Sequence, residues 1–506
     1  MKNSQTVTAA IALVAVGALG ACSSSGSSDA ASSDGAATSL SIGNMLDVSS
    51  WDPGDYAAGF DAPYYSAVYD PLVTLSTDGD IEPWLAVDWT WSDGDTTLTM
   101  DLASGATFED GSPVDADAVV AGLDHLREGA STATFYSEVT DVQAADDDTV
   151  VLTLSAPDSS LLYHMGLGYS YIAQSSAIEA GTLATTPAGS GPYELDSSSQ
   201  AGSTYDFTKK DGYWNDDELP YSTVEIQVLT DSTARFNALA SGQVDTILGV
   251  SSSAAEAESD GFTIDSVETS WTGLMFTDRA GEIVTALGDE RVRQAISYAF
   301  DKETILEEIG LGFGTVTSQV FLEQTGAADS SLDDTYSYDV DKAKELMAEA
   351  GYADGFSMTL PLSTSFEPYQ AITEQSLAAI GITVTWDQMS QADYQANLGS
   401  YGMFLCTYAV DSNAYANVQS QAGAGWINPL DSATNDATFG PEIEAIAAST
   451  GDEQLAAITE LNQQLVESAW FAPWYFAENL YFSDGVDVTP VVGLMFPPLT
   501  SFAPQA

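Results

Sequence analysis

The chain has 506 residues, of which 75 are acidic and 11 basic, for a formal net charge of -64. Its length implies two or three domains with a large core, and its charge excludes nucleic-acid binding by phosphate neutralisation and opposes adsorption to anionic membranes. A solvated, self-repelling surface is the simplest reading of so much acid, with a dedicated cation site as the alternative.

The N-terminus sets the expected compartment. After Lys2, an apolar run from Ala9 to Ala21 is too short to span a bilayer and ends in Leu19-Gly20-Ala21-Cys22. Small residues before a cysteine at the end of such a run read as a lipobox, so residues 1–21 are a signal peptide and Cys22 is the lipid acceptor. A plain secretory signal with an incidental cysteine is the rival. Residues 22–39, rich in Ser, Ala, Gly and Asp, cannot build a core and read as a lipidated tether. The expected location is extracytoplasmic, lipid-anchored to the outer face of the cell membrane or periplasmic, touching the membrane only through the anchor. With Cys22 lipidated, only Cys406 remains. No intramolecular disulfide or cysteine metal cluster is then expected, and Cys406 in the apolar run Met403 to Cys406 reads as core.

Leu40 to Asp47 predicts a first strand, followed by Trp51-Asp52-Pro53 and Val68-Tyr69-Asp70-Pro71-Leu72. Ser92 to Asp95 is a tight turn, and Leu98, Met100 and Leu102 then alternate with polar residues, which predicts a hairpin. A second turn, Asp110 to Pro113, leads to Asp115 in N-cap position before Val119, Leu123 and Leu126 at helical spacing. Gly189, Gly191, Pro192 and Tyr193 form a turn that opens a strand paired with Tyr205 to Lys209, and Lys210, Asp211, Tyr213 and Trp214 follow. Ser232 or Asp231 caps a helix expected to turn Ala234, Phe236, Leu239 and Ala240 inward, with Gly242 at its stop and Val244-Asp245 opening the next strand. Asp289 caps D-E-R-V-R-Q-A-I-S-Y-A-F-D-K, where Val292, Ala295, Ile296, Ala299 and Phe300 keep a 3.6 period. Asp339 to Gly351 repeats that logic with Ala343, Leu346, Met347 and Ala350 inside. Leu377 to Trp386 reads as helix end, glycine turn and alternating strand. The alternation of strands and helices, without an internal repeat, predicts an α/β protein with mixed sheets.

Phe108, Asp110, Gly111, Pro113, Asp117, Val119 and Val120, in the order strand, F-x-D-G-x-P turn and capped helix, resemble the signature of the extracytoplasmic solute-binding proteins of the peptide/nickel/opine class, family 5. The G-x-G-P-Y turn, the D-x-Y-W ending, L-x-x-G-x-V-D at Leu239 to Asp245, and A-K-x-L-x-x-A-G-Y from Ala343 follow in family order, so the resemblance spans roughly Leu40 to Tyr481. It implies a two-lobed periplasmic-binding-protein fold with mixed sheets, two crossover strands and an extra subdomain in the first lobe. Lobe I would be 40–272, with the subdomain at about 55–180, lobe II would be 273–476, and 477–506 would return to lobe I. The crossovers are expected near Ser270 to Phe276 and Trp474 to Glu478. The implied work is capture of a solute between the lobes by hinge closure and delivery to an ABC permease with its ATPase subunits, as a monomer and without a cofactor.

Met403 to Asp411, M-F-L-C-T-Y-A-V-D, resembles the family strand leading to W-x-x-D, with Tyr408 in place of the tryptophan. In peptide-binding relatives that aspartate holds the ligand's α-ammonium, so the resemblance makes Asp411 and Tyr408 ligand-binding residues. Trp426, in G-A-G-W-I-N-P, would stack on the ligand. The alternatives are that Asp411 caps the turn Ser412 to Ala414 and that Trp426 packs the lobes. Relatives that hold a dipeptide place a cation in the second lobe, whereas no Lys or Arg follows Lys344 here. That departure points to longer peptides gripped along the backbone, or to neutral or cationic ligands such as sugars. The expected function is therefore (oligo)peptide capture, with an oligosaccharide or other non-peptide solute as the alternative. Catalysis has little support: His125 and His164 are the only histidines, His125 reads as a surface residue, and no G-x-S-x-G, H-E-x-x-H or P-loop occurs. Nickel is disfavoured for the same reason. A lipid-anchored glycosidase would need two carboxylates about 5 to 9.5 Å apart, and it leaves the ordered family blocks without an explanation.

Overall fold

The computed structural model of the protein describes residues 39–216, 219–423 and 439–505, so Cys22 and Trp426 lie outside the described residues. The first strand, Ser39–Asn44, begins on the last residue of the expected tether and stops three residues short of Asp47. It buries Leu40 and Ile42 and pairs in parallel with Thr223–Val228 and Thr246–Leu248. Around it runs a mixed sheet in the order Met403–Ala409, Thr263–Phe276, Phe471–Ser483, Thr246–Leu248, Ser39–Asn44, Thr223–Val228, Thr204–Lys209, Tyr193–Leu195, with Gly314–Val316 also on Phe471–Ser483.

Two strands in this sheet are much longer than the rest. Thr263–Phe276 and Phe471–Ser483 pair antiparallel from Thr263↔Ser483 to Met275↔Phe471, so the stretches expected to cross between lobes lie side by side. The register slips between Glu268 and Ser270 and again between Thr272 and Gly273; such bulges bend and twist a strand locally. One end of the pair feeds Tyr481 into an aromatic-rich core with Trp51, Tyr64, Tyr65, Tyr69 and Tyr205. The other end feeds Trp271, Leu274, Phe471 and Trp474 into a separate core with Val292, Ile296, Phe300, Leu377 and Leu461.

A third core lies under the hairpin unit. Ala86–Ser92, Thr97–Leu102, Thr149–Leu154 and Val139–Ala144 form a four-stranded antiparallel sheet. Asp93, Gly94 and Asp95 make the hairpin turn, all with positive φ. The Asp115 carboxylate accepts from the Ala118 N–H and starts the helix Ala116–Arg127, whose Val119, Leu123 and Leu126 seal the sheet.

Three expectations are corrected. The helix Ser232–Ala240 buries Arg235, Phe236, Ala238 and Leu239, while Ala234 and Ala240 are exposed, because Arg235 turns inward and donates to the Leu229, Thr230 and Leu248 carbonyls. The helix after Asp289 ends at Tyr298, and Asp301 caps a second one, Lys302–Glu308, by accepting from the Thr304 N–H at 3.2 Å. His125 is no bare surface residue, since its Nε2 lies 2.6 Å from Asp52 Oδ1.

Candidate functional site

The strand Met403–Ala409 buries Met403 to Cys406 and, after Val410, delivers Asp411 to the mouth of a turn. That turn is tied from below. Fully buried Asn417 accepts the Asp411 N–H at 3.2 Å and donates to the Val320 carbonyl at 2.8 Å. Gln421 accepts from Trp271 Nε1 and donates to the Ala409 carbonyl. The helix Ala414–Ala422 is capped by Asn413, whose Oδ1 accepts the Ala416 N–H at 2.9 Å. The cap therefore belongs to Asn413, and the Asp411 carboxylate is left for side chains.

Its partners are two hydroxyls. Tyr163 OH donates to Asp411 Oδ1 at 3.2 Å and Ser420 Oγ to Oδ2 at 2.9 Å. Burial pushes the Asp411 carboxyl above its ordinary range, and the Ser420 and Tyr163 hydrogen bonds only partly pull it back. Tyr408, beside it, is raised to about 12 by burial and by the Asp411 charge, so it stays a neutral phenol.

Asp411 and Tyr408 open onto a cleft of about 650 Å³ whose lining comes from residues 408–420 and Ala447 on one side and mainly residues 134–169 on the other, with Gly493 against Tyr163 and Leu167 of the latter. The facing wall is aromatic: Phe135 lies 4.0 Å from Tyr169 and 4.4 Å from His164 between ring centroids. Gly168 makes that wall possible. At φ 100° it breaks the helix after Leu167, and a Cβ there would sit 2.7 Å from the Tyr171 ring and 2.8 Å from Tyr56 OH. His164 is pushed down to about 4 by burial, so it is neutral at pH 7, and among the described residues its buried Nδ1 has no hydrogen-bond partner. Glu138, Asp158 and Asp411 all line the cleft, and among the described lining residues there is no Lys or Arg.

The two walls touch at the rim. Ser412 N–H donates to Tyr163 OH at 3.2 Å, Ser159 Oγ to Gln454 Oε1 at 2.6 Å, and Thr450 Oγ1 to Asp95 Oδ2 at 2.6 Å. Gly79 abuts Ser412 so closely that a Cβ would lie 2.5 Å from its Oγ. The two lining segments draw mainly on different cores, and they meet through these hydrogen bonds and through a small apolar cluster that joins Ala416 to Tyr163 and Leu167.

Sequence reasoning placed Asp411 and Tyr408, which the structure brings together. It missed Tyr163, His164, Phe135 and Asp158. His164 was considered only for metal or triad chemistry, and the A-P-D-S-S stretch at Ala156 to Ser160 carries an ordinary turn signal. Among the described residues, no group of three or more His, Cys, Asp or Glu could hold a metal, and no helix is long and apolar enough to cross a membrane.

The profile of the family "Bacterial extracellular solute-binding proteins, family 5 Middle" matches residues 80–426, more than half of the chain. The glutathione-binding protein GsiB of Escherichia coli (strain K12) is 26% identical over 367 residues, 69% of each chain. Among solved structures, the ABC transporter substrate-binding protein CtaP from Listeria monocytogenes superposes with a TM-score of 0.80 at 22% identity, covering 92% of this chain and 99% of its own. The periplasmic binding protein DppA from Helicobacter pylori, in complex with the peptide STSA, gives 0.74 at 20% identity over 92% and 98%.

Proposed function

The chain belongs to family 5 of the bacterial extracellular solute-binding proteins, and on that premise we propose that it captures oligopeptides between two lobes and hands them to an ABC permease with its ATPase subunits. The protein acts as a monomer, performs no chemistry on its cargo, and is anchored outside the membrane by lipid on Cys22. Lobe I is residues 40–272 with a subdomain at about 55–180, lobe II is 273–476, and 477–506 return to lobe I. The division of the buried residues into separate cores, joined by the strands Thr263–Phe276 and Phe471–Ser483, supports this assignment.

The observation that carries the peptide reading is Asp411. A carboxylate taken out of water costs several kcal/mol unless a cation or enough donors meet it. Two hydroxyls are its side-chain donors, and no Lys or Arg lines the cleft among the described residues. The α-ammonium of a peptide supplies the missing charge. Because Tyr163 stands on one wall and Ser420 on the other, the ligand completes a site that exists only while the walls are together, and binding shifts the population toward closure.

X-ray scattering of the purified chain with a saturating tripeptide tests the reading. The radius of gyration is expected to fall, the Tm to rise, and mass spectrometry to recover the peptide intact. Binding without compaction, or a consumed peptide, contradicts it. For the anchor, Cys22→Ser expressed in a lipidating host is expected to lose both acyl mass and membrane association; retained association without acyl mass refutes the lipobox.

A further inference from the structure

Resting on the peptide reading above, we propose that the cleft has a second cation-binding pole, Asp158 with Glu138, which selects peptides carrying a basic side chain. Asp411 answers one positive charge, and the wall that faces it presents two more carboxylates. Asp158 Oδ1 accepts from the Ser160 N–H at 2.9 Å and the Ser160 hydroxyl at 2.5 Å, while Glu138 accepts from the Ser155 hydroxyl. Neither has an ion pair with a Lys, Arg or His among the described residues. They also stand near enough for Glu138 to add to the upward push that burial gives the Asp158 carboxyl. Two carboxylates that repel each other in a cleft without a resident cation are stabilised by any positive group that arrives between them.

A basic side chain needs more than a carboxylate, because its alkyl stem wants apolar cover while its head wants charge. Asp158 lies where the main cleft meets an adjoining chamber of about 270 Å³ that is lined also by Trp91, Asp95 and Leu162. Leu162 covers a stem, and the Trp91 ring offers a cation–π surface. His164 lies on the same wall, its Nδ1 buried and without a hydrogen-bond partner among the described residues. Its neutral ring adds no positive charge to oppose a cation. The formal charge of -64 works in the same direction at long range, drawing cationic solutes to the protein faster than neutral or anionic ones.

Isothermal calorimetry on the purified chain decides the matter with five kinds of probe: Ala-Ala-Ala, its three single-lysine derivatives, and its central-glutamate derivative. At least one lysine peptide is expected to bind about tenfold tighter than Ala-Ala-Ala, and the glutamate peptide more weakly than either. Asp158→Asn retains an acceptor for the Ser160 N–H, and both it and Glu138→Gln are expected to cut the lysine preference to about threefold or less. Lysine peptides that bind no tighter than Ala-Ala-Ala, or a preference that survives both substitutions, overturn the second pole and leave the peptide reading standing. If none of the peptides binds, both fall.

Discussion

Asp70 and Asp411 are both acids taken into the interior, and they are treated in opposite ways. Asp70 is fully buried and receives four donors: Trp84 Nε1 at 2.8 Å, Tyr213 OH at 2.5 Å, Ser190 Oγ at 2.8 Å and Trp214 Nε1 at 3.2 Å. Lys210 lies close enough for Glu109, Asp70 and Glu194 to oppose the fall that burial imposes on its ammonium. Among the described residues, Asp411 has two hydroxyl partners and no cation. The first carboxylate is a finished structural joint, in which residues from the D-P-L, G-x-G-P-Y and D-x-Y-W blocks meet. The second has spare acceptor capacity at the wall of a cleft. Burial alone does not separate a structural acid from one left with spare capacity; the count of donors and the presence of a countercharge do.

Breaking the finished joint should have the largest effect. Asp70→Ala strands four buried donors and is expected to cost about 3 to 5 kcal/mol in chemical denaturation, whereas a loss under about 1 kcal/mol would show that the network contributes little. Asp411→Asn sharpens the contrast from the other side. The native protein holds the Asp411 proton more tightly than the unfolded chain does. Its contribution to stability is therefore full below the ordinary carboxyl range and is lost as pH rises through the raised value. At neutral pH the ligand-free Asn variant should be as stable as the wild type or more so, and the difference should vanish in acid. A fall in the Tm of the ligand-free variant at pH 7 would place Asp411 with Asp70.

Two further carboxylate sites grade the comparison. Asp52 faces His125, which its hydrogen bond raises above the usual histidine range, while His125 lowers Asp52 against the opposing effect of burial. The His125 share of stability is fully present below about pH 6.5 and is lost as pH rises through the raised value; the Asp52 share is present above its ordinary range and is lost in acid. His125→Ala should cost up to about 1 kcal/mol at pH 5.5 and less at pH 9, and equal losses at both would remove the ion pair from the account. Glu268 and Glu478 face each other directly across the two long strands, beside the bulge at Thr269. Burial raises the Glu268 carboxyl and the Glu478 charge raises it further, against the Thr315 hydrogen bond. Glu478→Gln should gain roughly 0.5 kcal/mol in thermal unfolding, and a loss would mean that the pair holds the bulge together.

The sequence made local structure legible wherever chemistry is local. Asp115, Asp289 and Asp339 cap the helices they were expected to cap, and of the two candidates Ser232 and Asp231 it is Asp231 that caps its helix, because an aspartate in front of a periodic apolar run meets an orphan N–H within three residues. The face of Ser232–Ala240 was misread because an arginine can be inside when carbonyls receive it, and those of Leu229 and Thr230 ahead of the helix and of Leu248 on the next strand converge only in the fold. The same limit applied to the site. Tyr163 and Asp411 are 248 positions apart, and nothing near Tyr163 in the chain announces the acid it serves. Asp411 was visible through its strand, and the want of a countercharge in its own part of the chain through the absence of Lys or Arg after Lys344, but that the facing wall supplies none either became legible only with the cleft.

On the proposed function Asp411 waits for a cation carried by the ligand, and a double-mutant cycle by calorimetry measures that pairing directly. Asp411→Asn should weaken a peptide with a free N-terminus by at least about tenfold, roughly 1.4 kcal/mol. N-acetylation of the peptide should do similar damage to the wild type and little more to the variant, giving a coupling energy of about the same size. An unchanged preference for the free over the acetylated peptide in Asp411→Asn would contradict the account.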